Sequence, residues 1–159
     1  MLTTIFAFPI AAPAHANTNV SQPILAALDR LIRVEKVADD AYALFYQATK
    51  EQRFKTVLDQ ENAHEGKLAL VLAVNGITNP IAQLKPGQFP DPGLRTLYQQ
   101  LTAQGSTSKK AALASAVKLE KNDVSDINAI LAMKPPTFVA NILKELRAAS
   151  LQHAKIFSN

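Results

Sequence analysis

The chain contains no cysteine. That excludes disulfides, thiolate-bound metals, rubredoxin-type iron centres and cysteine nucleophiles. The redox compartment stays open, because a chain without thiols is safe in either environment. Tryptophan is also absent, and glycine is scarce, at five in 159 residues. Beyond the N-terminus no stretch is apolar over the ~20 residues a helix needs to cross a bilayer. Nor is charge of one sign concentrated. The formal net charge is +4, but Arg30, Arg33, Lys36, Lys50, Arg53, Lys55 and Lys67 are scattered, and Lys109-Lys110 is the only basic pair. This spacing reads as solvated helix faces, and without a recognition motif it makes no case for a nucleic-acid partner.

What is present favours helices. Ala, Leu, Lys, Gln and Glu are frequent, and 48% of residues are hydrophobic, enough for one domain with a real core. Residues 1–16 stand apart: a short apolar stretch ends in Ala14-His15-Ala16, the small-x-small pattern of a signal-peptidase site, although no basic residue precedes it. We expect an export leader, a mature domain spanning 17–159, and a periplasmic or secreted location.

Pro23, just after Ser21, opens the first expected helix, whose stripe is Ile24, Leu28, Leu31, Glu35, Ala38, Tyr42, Phe45. Thr49 and Gln52 form a Thr-x-x-Gln capping box, expected to start the second helix, and Asn75-Gly76 closes it. Residues 77–92 are rich in Pro and Gly and read as loop. Leu94, Leu97, Tyr98 and Leu101 mark a short helix ended by Gly105, with apolar positions that could serve a homodimer. Ser106 or Ser108 then caps a helix with the stripe Leu113, Val117, Glu120, Val124, Ile127, Leu131. After the Pro135-Pro136 break, the last helix aligns Phe138, Ile142, Leu146, Ala149, His153 and Phe157. Short links make each outer pair an antiparallel hairpin. A bundle helix of about 25 residues is roughly 38 Å long, and the stretch 77–105 can run that length. The expected fold is all-α: a ferritin-like four-helix bundle of two antiparallel hairpins, joined by a long crossover carrying a short extra helix.

Ionisable groups interrupt these inward stripes. The second helix reads Phe54, Val57, Leu58, Glu61, His64, Leu68, Leu72, with Glu61 and His64 at its centre. Glu35, Glu120 and His153 interrupt the other three. Ionised carboxylates without partners are prohibitively costly in a core, so their convergence implies a shared cation. A ferritin-like dinuclear site takes one Glu from each of two helices and Glu-x-x-His from each of the other two. Glu35 and Glu120 suit the first role, and Glu61-x-x-His64 the second. His153 has Ser150, not Glu, three residues before it. Three carboxylates would leave +1 on two divalent ions. Asp123 could add the missing charge, or Ser150 could leave an open position. Oxygen and imidazole donors without sulfur favour iron or manganese, with zinc as competitor.

Several motifs in order carry a resemblance. They are Glu35-Lys36-x-Ala38-x-Asp40-x-Tyr42, Glu61-x-x-His64, Phe89-Pro90-Asp91-Pro92, Leu97-Tyr98, Glu120-x-x-Asp123-Val124-x-Asp126-Ile127 and Ser150-Leu151-Gln152-His153-Ala154-x-x-Phe157. Over residues 20–158 the chain resembles the ferritin-like, rubrerythrin-related family known as domain of unknown function 2202. The resemblance implies a ferritin-like bundle with a metal site, and it makes Ser150 a family trait. It implies no reaction. The residues lead us to expect chemistry with O2 or peroxide, or oxidation of Fe(II), at a dinuclear iron or manganese centre. The alternative is a non-catalytic module that binds one zinc or iron, or a partner.

Overall fold

The computed structural model describes residues 20–159, so the expected leader at 1–16 lies outside the described residues. Among the described residues five helices follow one another: α1 (Gln22–Thr49), α2 (Gln52–Val74), α3 (Pro92–Gly105), α4 (Lys109–Ala132) and α5 (Thr137–Ser158). No strand occurs among the described residues, and no helix there is long and apolar enough to cross a membrane.

Local chemistry explains most boundaries. Proline sits in the first turn of α1 and of α3, where its missing N–H costs nothing. Asp91 caps α3, accepting from the N–H groups of Gly93 (2.7 Å) and Leu94 (3.0 Å). Of the two serines expected to cap α4, Ser108 does so, accepting from Ala111 N–H. The capping box at Thr49 does not form. Thr49 ends α1, its hydroxyl donating to the Phe45 carbonyl. Lys50 then turns the chain at φ 57°, and Glu51 caps α2. The left-handed residue at Lys50 takes up the turn that the box would have needed.

The four long helices form a bundle whose apolar core is in two parts. One part gathers Leu28, Leu31 and Ile32 of α1, Leu68 and Leu72 of α2, Ile127 of α4, and Leu143 and Leu146 of α5. The other gathers Tyr42 and Phe45 of α1, Phe54 and Val57 of α2, Ala112, Ala116 and Leu119 of α4, and Phe157 of α5. Reading the numbers along each helix fixes its direction. α1 and α5 run from the first part to the second, whereas α2 and α4 run back. Successive pairs are therefore antiparallel, and α2 lies parallel to α4. The connection between those two must travel the length of the bundle. It does so, with Ile81 in the first core part and Phe89, Leu94 and Leu101 in the second.

The connection is fastened by side chains. Lys36, expected on a solvated face, is 6% exposed. It pairs with Asp40, donates to the Lys85 carbonyl at 3.1 Å, and lies 4.9 Å from the centre of the Phe89 ring. Asp40 also accepts from the Gly87 N–H at 2.8 Å. Apolar stem and ring bury together while the ammonium keeps its partners. Leu97 and Tyr98 are only half-exposed, packed against the second core part, so α3 offers little apolar surface to a dimer. At the end of α3, a Cβ on Gly105 would fall 2.2 Å from the buried Phe45 ring, so this crossing requires glycine.

Candidate metal centre

The two core parts are separated by a polar layer. Each long helix puts ionisable or polar groups there, all nearly or fully buried: Glu35, Glu61, His64, Glu120, Asp123, Ser150 and His153. On α4 and α5 the inward face is turned by about one residue from the apolar stripes. The buried line of α4 is Ala112, Ala116, Leu119, Glu120, Asp123, Ile127 and Ile130, with Leu113, Val117, Val124 and Leu131 on its flank. That of α5 is Val139, Leu143, Leu146, Ser150, His153 and Phe157, with Phe138, Ile142 and Ala149 flanking. This rotation carries Asp123 and Ser150 into the layer.

Five of the six residues singled out come together as two overlapping groups. Glu35, Glu61 and His64 form one, and Glu61, Glu120 and His153 the other; within each, one donor atom per residue lies within 4.8 Å of the rest. Glu61 is common to both. Its Oε2 is 2.8 Å from His64 Nδ1 and its Oε1 is 2.8 Å from His153 Nδ1. The same His153 nitrogen is 3.5 Å from Glu120 Oε1, and the two imidazoles stack with centroids 5.7 Å apart. A carboxylate whose oxygens each face a different ring nitrogen has the placement of a bridge. Asp123 belongs to neither group, although it is buried in the layer beside Glu120. The Ser150 hydroxyl turns back to its own helix and donates to the Leu146 carbonyl at 3.2 Å.

The electrostatics are those of a cage short of positive charge. Glu35 Oε1, Glu120 Oε2 and Asp123 Oδ1 are buried without a hydrogen-bond partner among the described residues, an arrangement native cores rarely tolerate. Burial, reinforced by the charges of Asp123, Glu61 and Glu120, holds the Glu35 carboxyl well above its usual range. Asp123 is raised likewise, by burial and then by Glu120 and Glu61. Glu120 is raised by burial, with His153 working against it. Burial also pushes Glu61 up, but the imidazoles of His153 and His64 beside it outweigh that and hold Glu61 at about 2. For His153, burial favours the neutral ring, yet Glu120 and Glu61 raise it to about 9. Without a cation, then, the layer favours the neutral acids at Glu35 and Asp123 and the cation at His153, which offsets the charge.

Other residues also reach the layer. Tyr42, on the inward stripe of α1, donates its hydroxyl to Glu120 Oε1 at 2.8 Å from full burial. Gln60 Oε1 accepts from His153 Nε2 at 2.7 Å, although it lies on the exposed side of α2. Asp39 and Glu65, one helical turn beyond Glu35 and Glu61, are half-buried, and burial raises them to about 6 and about 7. The i+4 spacing from the two core glutamates was the available clue to both.

A family model described as an uncharacterized protein domain, DUF2202, matches residues 28–159. The uncharacterized protein MJ0754 of Methanocaldococcus jannaschii is 26% identical over 123 residues, which cover 77% of this chain and 66% of the relative. The crystal structure of hypothetical protein MJ0754 superposes with a TM-score of 0.83 at 23% identity, covering 98% of this chain and 83% of that one. A conserved hypothetical protein, rv2844, from Mycobacterium tuberculosis gives 0.67 at 17% identity, over 87% of this chain and 97% of that one. At these identities the structures share the fold alone.

Proposed function

The chain belongs to the uncharacterised DUF2202 family, and on that premise we propose that it is a ferritin-like protein whose polar layer holds a dinuclear iron or manganese centre. The observation that carries the reading is Glu61, buried between two three-residue groups with one oxygen toward each histidine. The parallel course of α2 and α4 supports the ferritin-like part, because it requires the length-spanning crossover typical of that fold. The orphaned oxygens of Glu35, Glu120 and Asp123 support the cation.

Glu35 and His64 would hold one ion, Glu120 and His153 the other, and Glu61 both. Bound iron or manganese would supply one-electron steps for reaction with O2 or peroxide, or for oxidation of Fe(II) as substrate. The protein's own residues set the conditions. Apolar side chains above and below the layer exclude water, and Tyr42 fixes one oxygen of Glu120 and leaves the other for the site. Asp123 adds a fourth negative charge within reach of the field, if not of direct ligation. Zinc would fit the same donors without redox chemistry. The reading includes export to the periplasm or beyond, on the strength of the leader alone.

A second reading, one tightly held ion in a non-catalytic module, is favoured by α5. Ser150 turns its hydroxyl away and Asp123 lies outside both groups, so the α4–α5 side adds no oxygen beyond Glu120. Metal analysis separates the two. The full chain, stripped with chelator and reloaded anaerobically with Fe(II), should retain close to two ions per chain and develop near-UV charge-transfer bands in air. One retained ion without those bands would select the second reading. No retained ion, or retention unchanged in both His64→Ala and Glu120→Ala, would overturn both.

A further inference from the structure

His153 is the one ring in the polar layer whose two nitrogens both face groups on other helices, although Nδ1 makes no hydrogen bond among the described residues. On one side Nδ1 is 2.8 Å from Glu61 and 3.5 Å from Glu120; on the other Nε2 is 2.7 Å from Gln60 Oε1. The ring itself is 0% exposed, while Gln60 stands on the exposed side of α2. Gln60 therefore covers the ring from solvent and reaches across to a different helix to do so.

The chemistry of the two contacts differs. An amide oxygen only accepts, so the nitrogen facing it must carry the hydrogen. Glu61 and Glu120 also only accept when ionised, so they pull a hydrogen toward Nδ1. Without a cation the ring holds both hydrogens; once it gives one up, as a ligand must, one nitrogen has the hydrogen and the other the lone pair. Left to the carboxylates alone, the hydrogen would sit on Nδ1, and the lone pair would face away from the layer. We infer that Gln60 is a positioning residue for His153: its amide oxygen holds Nε2–H, so that Nδ1 presents its lone pair between Glu61 and Glu120. The inference rests on the reading of His153 as a ligand. Gln60 suits this task because it carries no charge: it sets the tautomer without adding to a layer already rich in carboxylates. Partners of this kind orient imidazole ligands and raise their basicity.

The test uses the full chain with 15N-labelled histidine and three variants, Gln60→Leu, Gln60→Glu and His153→Gln. In the stripped protein, the ring N–H signal that disappears in His153→Gln is assigned to His153. Its Nε2–H should exchange slowly with solvent, and Gln60→Leu should speed that exchange about tenfold or more. Gln60→Glu, which keeps an acceptor, should restore slow exchange. In anaerobic titration with Fe(II), Gln60→Leu should bind about 10–100-fold more weakly than wild type, and Gln60→Glu within about threefold of it. Unchanged thermal midpoints for these surface variants would exclude a fold defect. An Nε2–H signal or an Fe(II) affinity indifferent to Gln60→Leu would overturn the inference. Should the wild type take up no Fe(II), the metal reading fails, and the exchange measurement still decides whether Gln60 sets the ring.

Discussion

Tyr42→Phe offers the sharpest test of the polar layer, because it deletes one oxygen and little else. Tyr42 is fully buried and Glu120 is 1% exposed, with 2.8 Å between Oη and Oε1. Neither group can recover a water partner easily once the hydroxyl is gone. Hydrogen bonds to charged groups contribute about 1.5–3 kcal/mol, and an acceptor left unpaired in a core loses that in full. For a chain of this size each kcal/mol moves the thermal midpoint by about 2–4 °C, so the expected fall is about 3–12 °C. The ring packing should survive, since Phe keeps the contacts with Phe54 and Phe157 at 6.0 and 5.1 Å. The assay is urea unfolding of the stripped protein followed by circular dichroism, in a double-mutant cycle with Glu120→Gln. With a neutral amide as acceptor the same deletion should cost only about 0.5–1.5 kcal/mol, leaving about 1 kcal/mol of coupling. A loss below about 0.5 kcal/mol, or an equal loss in both backgrounds, would refute the argument.

Three further outcomes are expected. Gly105→Ala puts a methyl 2.2 Å from the Phe45 ring and should cost about 1–3 kcal/mol in urea unfolding, relieved when Phe45 is changed to Leu. His153, raised to about 9 in the fold from an ordinary 6.5, stabilises the stripped protein fully below about pH 6.5 and loses that contribution as pH rises through 9. Thermal midpoints measured in chelator should therefore fall over that window, and His153→Gln should flatten the fall; a flat wild-type profile would count against the Glu61–His153 pairing. Asp40→Ala removes the carboxylate that holds the Gly87 N–H and Lys36, so hydrogen exchange at the Gly87 amide should quicken at least about tenfold while amides of α5 keep their protection.

How far the sequence alone could lead depends on the element. On α1 and α2 the apolar letters themselves mark the inward line, so Glu35, Glu61 and His64 were readable as interruptions of it. On α4 and α5 the apolar letters mislead by one position. Valines and isoleucines widen the stripe on its flanks, whereas the true centre is filled by Ala112, Ala116, Asp123 and Ser150, residues that carry no hydrophobic signal. The helical period is the same for either choice, and only packing decides between them. Thr49 illustrates a different limit: its hydroxyl can cap a following helix or bond back to a preceding one, and the left-handed turn at Lys50 selects the second. Gln60 was invisible because it faces outward, about 100° from Glu61 on the helix, and its role exists only through a histidine 93 positions away.

The shared glutamate has a consequence for how the molecule assembles. Glu35, Glu61 and His64 all belong to the first hairpin, so that hairpin carries one three-residue group entire. The other group exists only after the second hairpin docks and brings Glu120 and His153 to Glu61. An ion in that second group would be a further clasp between two halves that also pack together through both core parts. Its affinity and the docking equilibrium would then be a single linked quantity: whatever loosened the halves would weaken the ion's hold, and removing the ion would loosen the halves.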